Sequence, residues 1–291
     1  TMQSDITCNG ANNGTVTAAA VPGTGLPPYE YSVDGGTYQP GGSFTGLAPG
    51  SHTVRIRDGL SCTIDLPFNL DQPPLLTGVI SSQTNVECYG ETTGSITIAA
   101  SGGTSPYEYS LNGGDYQSSG TFNNLPAGSG TVTIRDDNNC TAVVPVTITQ
   151  PSAPLQGVVV TGNISCLGGS NGSINLSVIG GVPPYSYLWN TGATTEDITG
   201  LQAGNYSVLI TDASGCIETV SVDLTEPSTA LTGVITDKTD VSVPGGNDGS
   251  VTVTASGGIA PYLYRLNSEA FQPSGTFESL TAGTYTVTIQ D

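Results

Sequence analysis

The chain has 291 residues, a length that corresponds to two or three domains of ordinary size. It carries 5 basic and 24 acidic side chains, and the resulting net charge of −19 excludes nucleic-acid binding by phosphate neutralisation and disfavours contact with anionic membranes. No stretch approaches the roughly 18 apolar residues of a membrane span, so direct membrane insertion is not expected. His52 is the only histidine. Chemistry that needs two histidines is therefore excluded, and we expect that the chain is not an enzyme.

One aromatic motif recurs four times along the chain. Its copies are PPYEYSV at Pro27–Val33, SPYEYSL at Ser105–Leu111, PPYSYLW at Pro183–Trp189 and APYLYRL at Ala260–Leu266. The copies are spaced by 77–78 residues, and the first three units close with LDQP, ITQP or LTEP. We therefore predict a tandem array of discrete domains with boundaries near Pro73, Pro151 and Pro227. The predicted domains are repeat 1 (residues 1–73), repeat 2 (74–151), repeat 3 (152–227) and repeat 4 (228–291).

The first half of each repeat is predicted to form short β-strands. An apolar lead-in opens repeats 2 to 4 (LLTGVIS, LQGVVVT and LTGVITD), whereas repeat 1 has only Thr1–Ile6 there, so its first strand is predicted to be mostly missing. The aromatic motif places Tyr29, Tyr31 and Val33 on one face, as in a half-buried strand. The DGG segment that follows suits a hairpin turn with positive φ.

The second half of each repeat shows the same alternation. The strand after the AG or PG turn points Tyr206, Val208 and Ile210 inward. The inward side chains of the last strand are Ile64, Leu66, Phe68 and Leu70 in repeat 1, and Ala142, Val144, Val146 and Ile148 in repeat 2. Pro145 on the other face is typical of an edge strand. In repeat 4 the sequence stops at Asp291, so the last strand is predicted to be missing there.

These elements predict an all-β chain. About seven short strands per repeat, with frequent turn signals and no helical period, indicate a tandem array of immunoglobulin-like β-sandwich domains. A β-barrel is the weaker alternative, because nothing in the sequence indicates closure.

Six cysteines with no CxxC or CxxH pair favour disulfides in an oxidising, extracellular setting. One cysteine of a repeat precedes its second strand and the other opens its last strand, while repeat 4 has Val243 in place of the first. This arrangement predicts pairing within repeats, as Cys8–Cys62, Cys88–Cys140 and Cys166–Cys216. In a strict immunoglobulin layout the two positions lie at opposite poles of the sandwich. Bridging between neighbouring repeats, such as Cys88–Cys216, is then the alternative.

Two singular side chains are predicted to be structural. His52 aligns with Tyr206 and Tyr285 just after the turn, at a position like the tyrosine corner of sandwich folds, so we predict packing or a corner hydrogen bond rather than catalysis. Trp189 replaces a smaller apolar residue on the inward face of its strand. Core packing is therefore predicted for Trp189 in preference to sugar stacking.

An aspartate recurs at the end of the same strand in every repeat. These residues are Asp58, Asp136, Asp212 and Asp291, with Asp137 added in repeat 2. Calcium binding through Asp58, Asp136, Asp137 and Asp212 is one interpretation. We favour the other, in which each carboxylate caps its own turn, because no dense DxDxD run is present. No other cofactor is expected.

The patterns C-x-G-x-x-x-G-[ST]-[IV], G-G-x-x-P-Y-x-Y and L-x-A-G-x-Y-x-V-x-[IV]-x-D-x-x-x-C span essentially the whole chain. This combination resembles the SprB repeat family. The resemblance implies a piece of a very large surface adhesin of gliding Bacteroidetes, secretion by the type IX route, and a role in adhesion or surface fibres at the cell surface.

Two functions are consistent with these features. The first is a stalk that spaces a distal adhesive tip from the cell, with neighbouring repeats and other surface or fibre subunits as partners. The second is direct binding of a glycan or protein by the repeats themselves. We favour the stalk, because the recurring aromatic residues lie on inward faces.

The ends of the sequence carry an expectation of their own. The simplest hypothesis is that the 291 residues are a window on a longer chain that continues with the same repeat in both directions. The alternative is that a strand from another subunit fills the gap in repeat 4.

Overall fold

The computed structural model describes all residues, from Thr1 to Asp291. It consists of β-strands and turns without any helix, so the predicted all-β class is confirmed. It accordingly contains no helix with the length and hydropathy of a membrane span. Two compact units, Thr1–Gln150 and Pro151–Asp291, divide the chain next to Pro151. The boundaries near Pro73 and Pro227 stay predictions.

The first unit holds repeats 1 and 2, with six strands each. The strands of repeat 1 are β1 (Met2–Ser4), β2 (Gly14–Thr17), β3 (Glu30–Val33), β4 (Ser43–Leu47), β5 (Gly50–Arg57) and β6 (Thr63–Leu70). Those of repeat 2 are β7 (Thr77–Thr84), β8 (Gly94–Ser101), β9 (Glu108–Leu111), β10 (Thr121–Leu125), β11 (Gly128–Arg135) and β12 (Thr141–Ile148).

The second unit holds repeats 3 and 4. The strands of repeat 3 are β13 (Gln156–Gly162), β14 (Gly172–Ile179), β15 (Ser186–Trp189), β16 (Ile198–Leu201), β17 (Gly204–Thr211) and β18 (Ile217–Leu224). Those of repeat 4 are β19 (Thr232–Thr239), β20 (Gly249–Ser256), β21 (Leu263–Leu266), β22 (Thr276–Leu280) and β23 (Val287–Gln290).

Each complete repeat is a sandwich of two three-stranded antiparallel sheets. In repeat 2 one sheet has the order β10-β8-β7 and the other the order β12-β11-β9, and every sheet of the chain draws its strands from one repeat. Six strands form where about seven were expected. In repeat 1 the segment after the hairpin makes only a single bridge, Tyr31–Gln39, and repeats 2 and 4 form the same single bridge as Tyr109–Gln117 and Tyr264–Gln272.

The core of each sandwich comes from the central strands. Val132 and Ile134 of β11 are completely buried, as are Val208 and Ile210 of β17. They face apolar residues of the second strand, such as the fully buried Ile96 of β8. The predicted inward face of β12 is also confirmed, since Val144, Val146 and Ile148 are buried.

Two sheets are shorter than their counterparts. β1 has three residues, whereas β7 has eight, and repeat 4 has only β21 and β23 in its second sheet. One inward prediction is wrong for this reason. Ile64 of β6 is 58% exposed, because β1 with its three residues covers less of the sandwich than the eight-residue β7 does in repeat 2.

Candidate functional site

The most distinctive chemical feature of the chain is a covalent link between repeats 1 and 2. Cys8 lies in the loop between β1 and β2, and Cys140 immediately precedes β12. Their sulfur atoms form a disulfide, with the Cα atoms 5.6 Å apart and a sequence separation of 132. Asn138 Nδ2 donates a hydrogen bond of 3.2 Å to the carbonyl of Thr7 beside the bridge. We call these four residues the inter-repeat bridge.

The prediction of pairing within repeats is wrong. Cys8–Cys62 and Cys88–Cys140 cannot form, because Cys8 and Cys140 bond to each other. Cys166–Cys216 does not form either. Cys166 is free and exposed, like Cys62, whereas Cys88 and Cys216 are disulfide-bonded.

The geometry of one repeat explains this correction. The amide N–H of Ile6 donates to the carbonyl of Asp71 at 2.9 Å, so the loop of Cys8 lies beside the end of β6. Cys62 precedes the start of the same strand. An eight-residue strand is about 26 Å long, whereas a disulfide requires Cα atoms about 4.4–6.8 Å apart. The two cysteines of a repeat therefore lie at opposite poles and can bond only to other repeats.

The recurring aspartates hold the turn that presents the second cysteine. Asp136 Oδ1 accepts the backbone N–H groups of Asn138 and Cys140 at 3.0 and 2.8 Å, and Oδ2 accepts that of Thr104 at 2.9 Å. Asp212 makes the same three bonds in repeat 3, to Ser214, Cys216 and Val182. In repeat 2 the carboxylate thus joins the loop after β8, which contains Gly102 and Gly103, to the turn before β12.

This pattern confirms turn capping by the aspartates. Asp58 also accepts three backbone N–H groups, and the bonds from Leu26 and Cys62 hold its pKa below the usual value. The carboxylates of Asp58, Asp136 and Asp212 are thus used within the turns. The structure contains no group of three or more His, Cys, Asp or Glu side chains that could hold a metal ion, so Asp137 belongs to none.

His52 forms the predicted corner. Its Nε2 lies 2.8 Å from the carbonyl oxygen of Ala48, four residues earlier. The hydroxyls of Tyr206 and Tyr285 donate to carbonyls at the same spacing, both at 2.9 Å. The other ring nitrogen of His52 lies 2.6 Å from Asp34 Oδ2, and this hydrogen bond raises the pKa of His52 above its usual value.

Trp189 is 2% exposed, and its indole N–H donates to the carbonyl of Thr195 at 2.9 Å. The core interpretation is confirmed, and the side chain is not available to stack on a sugar.

Sequence reasoning missed a cluster on the outer side of the aromatic strand. Arg135 pairs with Glu108 at 2.6 Å and lies over the ring of Tyr116, 3.9 Å from its centroid. Repeat 1 has the same cluster of Arg57, Glu30 and Tyr38. The available signal was an arginine directly before the recurring aspartate, in register with an aromatic residue after the glycine turn. These contacts cover a face that simple alternation assigns to solvent.

Two openings lie in repeats 1 and 4. A groove of about 960 Å³ runs along repeat 4 between its two sheets. A smaller cavity of about 350 Å³ in repeat 1 is lined by Ile64 and Leu66 of β6 and by Tyr29.

The fold and the bridge together define a tandem β-sandwich protein with covalently linked neighbouring repeats. The chain matches the SprB repeat over residues 1–38, 80–116, 158–194 and 235–271, about half of its length. The chain belongs to the SprB repeat family.

Solved structures with similar folds are distant in sequence. Three N-terminal domains of the highly immunogenic outer capsid protein of bacteriophage RB49 are 16% identical, with 74% of this chain and 86% of that chain covered and a TM-score of 0.37. A tetra-tandem repeat from the extending region of a large adhesion protein is 15% identical, with coverages of 98% and 86% and a TM-score of 0.29. A search of the curated proteins finds no match. Family membership supports an adhesin-like repeat segment at a surface or extracellular location.

Proposed function

We propose that the chain is a non-catalytic stalk segment of a large extracellular adhesin, which spaces an adhesive tip from the cell. The observation that carries this proposal is the bridge between Cys8 and Cys140. A bond between neighbouring repeats limits their relative movement. It also gives a pulling force a covalent path that bypasses the residues between Cys8 and Cys140. Both properties suit a spacer under load better than a recognition surface.

The chemistry of the repeats supports the same role. The net charge of −19 keeps surfaces apart, and the turn before Cys140 is fixed by three hydrogen bonds to Asp136. Neighbouring repeats are the proposed partners, and no cofactor is required. From the family resemblance we extend the proposal to a surface fibre of a gliding bacterium, exported by the type IX route.

Mechanical extension tests the stalk role. The chain is pulled from its two ends with optical tweezers, first oxidised and then in a reductant that cleaves disulfides. The bridge spans 132 residues, so reduction is expected to add at least roughly 440 Å of contour length. The Cys62→Ser/Cys166→Ser variant serves as the control and should extend like the unaltered chain, because both thiols are free. Equal extension with and without reductant would show that the bridge carries no load.

A further inference from the structure

The long edge strands of the chain differ in how they are protected against pairing with another strand. An edge strand directs unpaired N–H and C=O groups away from its sheet, and a proline, a bulge or a charged side chain hinders the addition of a further strand. β6 and β12 each carry a proline, and β18 carries two acidic residues. The ladders that join β7 to β8 and β19 to β20 are interrupted by bulges.

β13 is an edge strand with none of these features. Its sequence, QGVVVTG, contains no proline and no charged residue, and it pairs with β14 in one unbroken register from Gln156 to Gly162. The strands β14 and β16 of the same sheet are also free of charged residues. Repeat 3 has all six strands, so this edge belongs to a complete sandwich. A regular, uncharged edge is a template for an additional strand.

The exposed side chains of β13 are apolar. Val158 and Val160 are 51% and 66% exposed and lie on the outer face of the sheet, in register with Ser177 and Asn175 of β14. Val159 lies between them on the core side and is half-buried. The strand therefore combines apolar surface on both faces with unpaired backbone groups along its edge.

The three valines make β13 complementary to a second copy of itself. In an antiparallel pair centred on Val159, this residue lies opposite Val159 of the second copy, and Val158 lies opposite Val160. The pair of Val158 with Val160 occurs twice, because a two-fold axis relates the copies. Cross-strand pairs of β-branched residues stabilise antiparallel sheets. Since the strands of this sheet offer no charge to a partner, they fit an equally neutral strand, and β13 is one.

We propose that β13 is a self-association surface at which two copies of this chain join edge to edge. Their sheets become one six-stranded sheet with the order β16-β14-β13-β13-β14-β16. The contact closes after two copies, because the other edge of each sheet is β16, a strand of four residues whose ladder with β14 contains a bulge. The inference goes beyond the stalk role and does not depend on it.

The contact is expected to be weak and to strengthen with salt. Two strands of seven residues bury less surface than the roughly 1,200–2,000 Å² of a stable complex. The net charge of −19 makes two copies repel each other, and dissolved salt screens this repulsion beyond about 10 Å at roughly 0.1 M. Dimer formation should therefore increase with salt concentration, whereas an association between opposite charges would decrease.

Sedimentation equilibrium of the full chain tests the proposal. The Cys62→Ser/Cys166→Ser chain is used, so that no free thiol links two copies. At concentrations from about 10 μM to about 1 mM, we expect the average mass to rise from that of one chain towards that of two, and to rise more steeply in higher salt. Hydrogen exchange of the amides of β13 should slow over the same range, while that of β7 should not change.

Matched lysine variants of this chain locate the contact. Val158→Lys/Val160→Lys places lysine opposite lysine in the proposed register, so association should weaken at least roughly tenfold. The control is Val79→Lys/Val234→Lys, which replaces valines that are 63% and 60% exposed on β7 and β19 and changes the charge equally. The control should associate at least as strongly as the parent chain, because it lowers the net charge without touching β13.

A variant of opposite charge tests the register itself. Val158→Glu/Val160→Glu should also fail to associate on its own. Mixed in equal amounts with Val158→Lys/Val160→Lys, it should form a dimer, because each lysine then lies opposite a glutamate. Recovery in the mixture also shows that both variants are folded, so the loss of association in each one alone is not a loss of structure.

Three results would overturn the proposal: one mass at every concentration, equal weakening by the lysine variant of β13 and by its control, or no recovery in the mixture. Protection of β13 by an added extended, valine-rich peptide in a chain that stays monomeric would assign the edge to a foreign strand and would also overturn it. None of these results bears on the extension experiment, which follows single molecules and the bond between Cys8 and Cys140.

Discussion

At the scale of single residues, polar side chains close the turns of each repeat. His52, Tyr206 and Tyr285 hold the turn before the fifth strand through a carbonyl four residues earlier. Asp136 and Asp212 hold the turn after it and are 4% and 5% exposed. A buried N–H without an acceptor costs about 1–3 kcal/mol. Each aspartate therefore stabilises its repeat by accepting three backbone N–H groups.

The corner of repeat 1 is expected to depend on pH. The bond to Asp34 raises the pKa of folded His52 above its unfolded value of 6.5. Its contribution to stability is therefore complete below pH 6.5 and is lost as the pH rises through the folded pKa. We predict that thermal unfolding of repeat 1, followed by differential scanning calorimetry, shifts to lower temperature across this interval.

The His52→Tyr variant is the matched test, since repeats 3 and 4 carry tyrosine at this position. It should keep the corner bond and lose the pH dependence that begins above pH 6.5. An unchanged pH profile in this variant would assign the dependence to another group.

The capping aspartate is expected to be the most sensitive polar residue of repeat 2. Asp136→Ala leaves three backbone N–H groups without their acceptor, so a loss of about 3 kcal/mol or more is expected in urea unfolding. Asp136→Asn keeps an acceptor oxygen and should lose less. Asp115→Ala, at an exposed aspartate of the same repeat, provides the control and should change stability by less than about 0.5 kcal/mol. Similar losses at both positions would argue against the capping role.

At the scale of elements, the fifth strand is the centre of the sandwich and depends on its partner strands. In repeat 2 it lies between β9 and β12, and its inward side chains are fully buried. In repeat 4, β23 pairs only with β21, and the same side chains are half-buried along an open groove. Burial of identical residue types therefore differs between a strand with two neighbours and a strand with one.

A pair of matched truncations measures this difference. Ile134→Ala removes a completely buried side chain and should cost about 2–5 kcal/mol. Ile289→Ala, at the same register in repeat 4, should cost clearly less, because the groove already exposes that side chain. Hydrogen exchange of β11 and β23 reports each loss locally. Equal losses would mean that the groove is closed in solution.

Most of these elements follow from alternation in the sequence. The aromatic strand, the corner at His52 and the core position of Trp189 each depend on neighbours within about 80 residues of one repeat, and turn chemistry fixes their register. The outer cluster of Arg135, Glu108 and Tyr116 was missed, because it forms between a strand and a loop that alternation alone does not bring together.

At the scale of the whole molecule, the pattern within one repeat did not identify the disulfide partners, because the bonded cysteines belong to different repeats. Pairing of Cys8 depends on where the next repeat places its Asn138–Cys140 turn, and a 77–78-residue period does not encode that placement. The length of a strand was enough to exclude Cys8–Cys62. Bridging between neighbouring repeats was the alternative that the sequence offered, and the Cys8–Cys140 bond is of that kind.

The bridge is expected to stabilise repeats 1 and 2 together. Closing a loop of 132 residues corresponds to about 5 kcal/mol in the chain-entropy model. The Cys8→Ser/Cys140→Ser variant should therefore unfold at lower urea concentration than the unaltered chain. Cys62→Ser/Cys166→Ser is matched in composition and removes only free thiols, so it should unfold with the unaltered chain. A smaller loss in the first variant than in the second would contradict a bridge at Cys8.

Non-reducing peptide mapping tests the covalent link between neighbouring repeats most directly. The oxidised chain is digested with pepsin at low pH, where exchange of disulfides is slow, and its linked peptides are identified by mass spectrometry. A peptide that joins Cys8 to Cys140, with Cys62 and Cys166 recovered as free thiols, is the predicted result. A peptide that joins Cys8 to Cys62 would contradict it, because the repeats would then be closed individually.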